Sequence, residues 1–206
     1  MSCTKEQYIN TALSYLGTKV GTPAHKELVK IYNSQKPLPV GYILKETDAW
    51  CAGFLTAIAV KCNATDIFPC ECSAQRMAAK CITVPHPEVG NIVFYDWNSN
   101  KWADHVGIIT KVNDASFQVL EGNYNNEVKI RTVRKDYKFI QCYGKVNWDD
   151  SVKPDKTITK YKTNEQIALE VIQGKWGNGS YRRYLITKAG YDYETIRSLV
   201  NHMLQP

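Results

Sequence analysis

Apolar residues recur at helical spacing through the first third of the chain. Near the N-terminus Ile9, Ala12, Leu13 and Leu16 fall at i, i+3, i+4 and i+7, which predicts an amphipathic helix. A second helical run covers residues 25–34 and ends in a loop at Lys36-Pro37-Leu38-Pro39 and Gly41. In DAWCAGFLTAIAVKC, residues Phe54, Leu55, Ile58, Ala59 and Cys62 share helix spacing, and the run is apolar enough for a buried helix. Asp48 stands where an N-cap belongs. A shorter helix is expected over residues 73–80. From residue 91 the pattern becomes strand-like: 91–97, 105–112, 116–121, 127–134 and 139–146 predict a meander of about five antiparallel strands. Helical spacing returns over 164–204. A capping box of Thr163 and Gln166 opens a first short helix, Gly190 stops a second, and Asp192 caps a third. Ile196, Leu199, Val200, Met203 and Leu204 form the apolar stripe of that third helix.

Helices followed by strands is an α+β layout. Residues 150–162, DSVKPDKTITKYK, carry charge and a proline with little apolar pattern, and read as a linker. The expected organisation is a domain at 1–149, a linker at 150–162 and a three-helix module at 163–206.

Composition narrows the field only a little. A chain of 206 residues holds one catalytic-sized domain and one small module. The net charge of +6 favours approach to an anionic polymer, whether nucleic acid or a wall polymer. A surface kept solvated by basic residues would give the same number. No stretch approaches the ~18 apolar residues of a membrane span. The opening MSCTKEQYINTALSYLG lacks the apolar core of a signal peptide, so synthesis in a cytoplasm without a Sec signal is expected. Seven cysteines cannot all pair within one chain, and a reducing compartment predicts free thiols.

Cys51 is the strongest candidate nucleophile. With Asp48 as N-cap it would sit at the third helical position, among unpaired N–H groups at the positive end of the helix dipole. That setting favours a thiolate, and the same N–H groups can stabilise an oxyanion. A buried structural cysteine is the bland alternative, and partners downstream decide against it. Of the four histidines, His25 lies in an exposed-looking helix, His86 between prolines and His202 in the C-terminal module. His105 opens the strand HVGIITKV, where apolar neighbours would hold its ring. It can take the thiol proton and return it to a leaving amine. Asp104 is adjacent, but neighbours on a strand point to opposite faces. Glu121 ends the next strand, and hairpin pairing of 105–112 with 116–121 brings it beside His105 as the group that orients the base. Asn123 is a second polar partner.

The segments DAWCAGF, PEVGNIVFYDW, DHVGIIT and VLEGNYNNEVKIRTV together resemble the CHAP family of cysteine amidases and endopeptidases, a branch of the NlpC-type papain-like fold. The resemblance runs from about residue 4 to 147. It implies a papain-like domain with N-terminal helices on an antiparallel sheet. It also implies Cys51 as nucleophile, His105 as base, Glu121 as its orienter and Asn123 as an assisting residue. Some members bind calcium through an acidic loop before the nucleophile. Here that loop offers only Glu46 and Asp48, too few oxygens for a calcium cage, so no calcium dependence and no other cofactor are expected. Cys62, Cys70, Cys72 and Cys81 are spaced C-x7-C-x-C-x8-C, which fits zinc poorly and small core residues better.

The stretch IALEVIQGKWGNGSYRRYLITKAGYDYETIRSLVNHML resembles the Cpl-type cell-wall-binding repeat of phage lysozymes. That implies a three-helix bundle that binds peptidoglycan without choline. Trp176, Asn178, Arg182, Tyr191 and Asp192 are the candidate wall contacts: aromatic faces stack on sugars, and arginine pairs with carboxylates or carbonyls. The alternative is that Trp176 and the tyrosines only fill a small core. The expected partner is bacterial peptidoglycan, with no nucleic acid and no membrane insertion. The expected function is amide hydrolysis in the cell wall, by an N-acetylmuramoyl-L-alanine amidase, with cleavage within the stem peptide or cross-bridge as the alternative. A wall-binding protein with a retired catalytic domain is the competing reading. Lack of an export signal fits a phage lysin that reaches the wall through a holin-type pore, with a bacterial autolysin as the alternative.

Overall fold

The computed structural model describes residues 3–148 and 163–204; the linker expected at 150–162 lies outside them. The chain divides into two compact units, residues 1–152 and 153–206.

The first unit opens with α1 (Lys5–Leu13), started by a capping box in which Thr4 and Gln7 satisfy each other's backbone N–H groups. Next is α2 (Pro23–Ser34), with Thr22 as N-cap and Pro23 in the first turn, where a missing N–H is harmless. Then α3 (Cys51–Lys61) is buried from residue 51 through 59, which explains why its apolar residues surround it rather than form a stripe. Tyr8 of α1 donates to the Leu55 carbonyl at 2.7 Å and ties the two helices together. Last comes α4 (Ala74–Lys80), capped by Ser73.

Six antiparallel strands follow: β1 (Ile82–Val84), β2 (Ile92–Tyr95), β3 (His105–Val112), β4 (Ser116–Tyr124), β5 (Glu127–Arg134) and β6 (Ile140–Lys145). Their order is β1-β6-β2-β3-β4-β5. Strands β2 to β5 form the expected meander. The last strand does not extend it; β6 returns to pair with β2 and receives β1 on its other side. The extra strand β1 is three residues long and largely exposed. It has no alternating pattern to announce it, and its pairing with β6 alone makes it a strand. Two-residue alternation puts Val93, Tyr95, Ile109, Phe117, Val119, Val133 and Tyr143 into one buried cluster. Helix α3 comes close to β4 at Gly122, where an added Cβ would lie 2.5 Å from the Phe54 Cβ.

The second unit is α5 (Asn164–Ile172), α6 (Gly179–Lys188) and α7 (Tyr193–Met203). Thr163 and Gln166 form the capping box, and Asp192 accepts from the Thr195 N–H. Ile167, Ala168, Val171, Ile186, Ile196 and Val200 make its core. Among the described residues no helix is long and apolar enough to cross a membrane.

Candidate active site

The helix that carries Cys51 starts later than its sequence suggests. The N-cap is Trp50, without a side-chain cap, and Cys51 is the first helical residue. Asp48 instead accepts from the Lys45 N–H at 2.7 Å and from the Tyr42 hydroxyl at 2.9 Å. An aspartate that finds donors in the preceding turn no longer serves the helix. The consequence for Cys51 is favourable. It stands at the very end of α3, beside N–H groups that have no helical acceptor.

His105 begins β3, opposite Tyr95 of β2, and is buried, as are Cys51 and Glu121. Its Nε2 lies 3.4 Å from Oε1 of Glu121. That is close enough for strong attraction but not aligned as a hydrogen bond, and Nε2 has no such partner. Cys51 of α3 lies close enough to the imidazole to act on its proton. Burial pulls His105 toward its neutral form. The neighbouring Cys51 and Glu121 side chains outweigh it and push His105 up to about 9.

The pairing of Ile108 with Leu120 sets Gly107 against Glu121, so Glu121 meets His105 on the diagonal. Gly107 is the residue that permits this. A Cβ there would lie 2.6 Å from Glu121 Cγ and 2.5 Å from Val119 Cγ2. The structure therefore brings Cys51, His105 and Glu121 together. It treats Asn123 differently. That residue occupies an irregularity of β4 between Glu121 and Tyr124, with a φ of 59° that asparagine tolerates better than most residues. Among the described residues no hydrogen bond joins it to Cys51 or His105. His25 also differs from expectation. It is buried, accepts from the Gly21 N–H through Nδ1 at 3.1 Å and packs on Trp50, a structural role at the start of α3.

Several site residues carry no motif. Trp97 stacks on the His105 ring with centroids 4.9 Å apart and keeps 39% of its surface exposed. Asp104 turns away from the imidazole and accepts from the Trp97 N–H at 2.8 Å, which anchors the tryptophan loop. Tyr95 and Tyr124 approach His105 from β2 and β4, each with ring centroids 6.0 Å away. Arg131 of β5 binds both oxygens of Glu121. The one signal for it in the sequence is that a fully buried carboxylate needs a cationic partner, and strand alternation narrows the choice to one face of β5.

The seven cysteines are free thiols. Among the described residues no group of three or more His, Cys, Asp or Glu side chains is placed to hold a metal ion. Cys72 accepts from Arg76 at 2.8 Å.

In the second unit, Arg182 donates to the Gly177 carbonyl and to Asn178 Oδ1, each at 2.9 Å, linking the GKWGNG turn to the start of α6. Trp176 donates to Glu170 at 3.0 Å and, with Tyr191, packs at the margin of the core. Asp192 is engaged by Thr195 as the cap of α7. Of these five, Asn178 and Asp192 are exposed, while Trp176, Arg182 and Tyr191 are half-buried.

A helix-borne thiol facing a strand-borne imidazole, with a carboxylate behind it, is the arrangement of a papain-like cysteine hydrolase. Comparison with known families agrees: residues 44–123 match the CHAP domain and residues 165–204 match the CW_7 repeat, so the chain carries both. The first match contains Cys51, His105, Glu121 and Asn123, and the second spans nearly all of the three-helix unit. A search of curated proteins finds no match. The two families together support a peptidoglycan hydrolase with a cell-wall-binding repeat.

Proposed function

We propose that this protein is an N-acetylmuramoyl-L-alanine amidase that works by nucleophilic catalysis from Cys51. The observation that carries the catalytic part is the buried line of Cys51, His105 and Glu121, with His105 held protonated well above the ordinary histidine range. In that state the sulfur attacks the amide carbonyl. N–H groups at the start of α3 receive the developing oxyanion. His105 gives its proton to the leaving amine, and an acyl-enzyme forms. Water, deprotonated by His105, then releases the acid and restores the thiol. The amidase assignment draws support from Trp97. An indole face exposed directly over His105 offers a sugar a stacking surface beside the nucleophile, as a bond between glycan and peptide requires.

Purified peptidoglycan digested with the protein and analysed by mass spectrometry tests the bond. A free muramic-acid carboxyl and a free L-alanine amine are expected. New termini inside the stem peptide or cross-bridge would replace the amidase reading by an endopeptidase one. Cys51→Ala should abolish release while retention on cell walls persists; hydrolysis at the wild-type rate would refute cysteine catalysis. The competing wall-binding protein without activity predicts no release from either form. In this reading the protein is a phage lysin, made in the host cytoplasm and delivered through a holin-type pore. Cells expressing it should lyse only after their membrane is permeabilised, and lysis without that treatment would count against the route.

A further inference from the structure

We propose that Arg131 is a positioning residue of the catalytic centre, which acts through Glu121 by fixing the carboxylate in place against His105. The inference rests on the cysteine-hydrolase reading above. It starts from burial: Glu121 is 0% exposed, and a carboxylate cut off from water keeps its charge only with a well-aligned cation. His105 does not supply that alignment, because its Nε2 reaches Oε1 at 3.4 Å without hydrogen-bond geometry. Arg131 does. Its Nη2 donates to the same Oε1 at 2.8 Å while Nε donates to Oε2. A planar fork on both oxygens sets the rotation of the carboxylate, which a single-point contact cannot do.

Strand register makes the pairing possible. Glu121 lies opposite Lys129 and Val119 opposite Arg131, so Arg131 shares the Glu121 face and reaches it on the diagonal. The guanidinium is itself held, 4.1 Å from the Tyr124 ring and 5.3 Å from the Tyr95 ring. These are the same two rings that flank His105. One aromatic frame thus braces the base and the arginine together. The titratable and charged groups facing His105 are Cys51 of α3, Tyr95 of β2, Glu121 and Tyr124 of β4 and, through Glu121, Arg131 of β5. Residue 131 lies beyond the stretch that matches the CHAP domain.

Without Arg131 nothing fixes both oxygens of the buried carboxylate, so it turns and stops supporting a protonated His105. Two readouts follow across pH: hydrolysis of purified peptidoglycan, and alkylation of Cys51 by iodoacetamide read on the Cys51 peptide by mass spectrometry. For Arg131→Gln the expected result is a fall of roughly 30-fold in kcat with KM within about 3-fold. The alkaline limb of hydrolysis, and the inflection in Cys51 alkylation set by the same imidazole, should move down by about one pH unit or more. Arg131→Lys keeps the charge and loses the fork, so its rate should fall by about tenfold, with a limb between the two. In a Glu121→Gln background, adding Arg131→Gln should cost no more than about 3-fold further. A limb that stays in place while the rate falls would show a merely structural role and overturn the proposal. Independent, multiplicative losses in the double variant would do the same. If Arg131→Gln does not fold, Arg131→Lys decides: wild-type rate and limb end the proposal. Failure of the underlying reading looks different, because Cys51→Ala would then match the wild type, both active or both inactive.

Discussion

At the scale of single residues the protonation of His105 matters most. Its folded-state value of about 9 lies above the ordinary histidine value of 6.5. A raised value of this kind contributes stability that is fully present below pH 6.5 and is lost as pH rises through about 9. Catalysis follows the same sign on its alkaline side, because deprotonated His105 cannot protonate the leaving amine. Activity should therefore decline through about pH 9. Glu121→Gln removes one of the two groups that hold the proton, and the alkaline limb should drop toward neutral pH. A pH–rate profile on purified walls checks this, and a limb unmoved near pH 9 would show that Cys51 alone sets it. Cys51, His105 and Glu121 were legible in the sequence because each depends on a local feature: an apolar helix start, the first residue of a strand, the end of the next strand. Arg131 and Trp97 were not. Their roles depend on which strand lies beside which, and nothing near them in the chain states that.

At the scale of elements, α3 and the β3–β4 hairpin do the positioning. Two glycines let them approach: Gly107 leaves room for the Glu121 side chain, and Gly122 leaves room for Phe54 of α3. Gly122→Ala forces a methyl to 2.5 Å from Phe54 Cβ, so α3 and Cys51 must shift. The expected cost is about 1–3 kcal/mol of stability, from overpacking, together with a loss of hydrolysis larger than that destabilisation explains at low temperature. Denaturant unfolding and wall-clearing rates measured on the same preparation check both. Helices and most strands were predicted well because their apolar periods are long. The misplaced cap at α3 has a simple cause. Asp48 has the right chemistry for an N-cap, yet Lys45 and Tyr42 offer it donors first. The short strand β1 left no periodic trace, since its identity comes from hydrogen bonds to β6.

For the molecule as a whole, catalysis and wall attachment belong to separate compact units. Among the described residues the CW_7 unit has a core of six buried residues, so its half-buried aromatic residues serve that core as well as any ligand. Arg182 is the clearest candidate contact, held by Gly177 and Asn178 in the turn before α6. Arg182→Ala should weaken co-sedimentation with purified walls by about tenfold and leave hydrolysis of soluble muropeptides unchanged. Equal retention of variant and wild type would remove Arg182 from the wall-binding surface. The charge of +6 predicts that retention also weakens as salt rises, because steering toward an anionic polymer is screened.

The amino-acid order by itself determined the α+β layout, the helical ending, the caps at Thr163 and Asp192, and which thiol, imidazole and carboxylate are the candidates. Those features arise from interactions a few residues apart, or from motifs read in one stretch. Tertiary structure alone decided that β6 returns to β2, that Glu121 is shared with Arg131, that Trp97 covers His105 and that His25 is buried. These depend on groups far apart in the chain meeting in a dry interior, where a charge or a polar ring must find its partner in space.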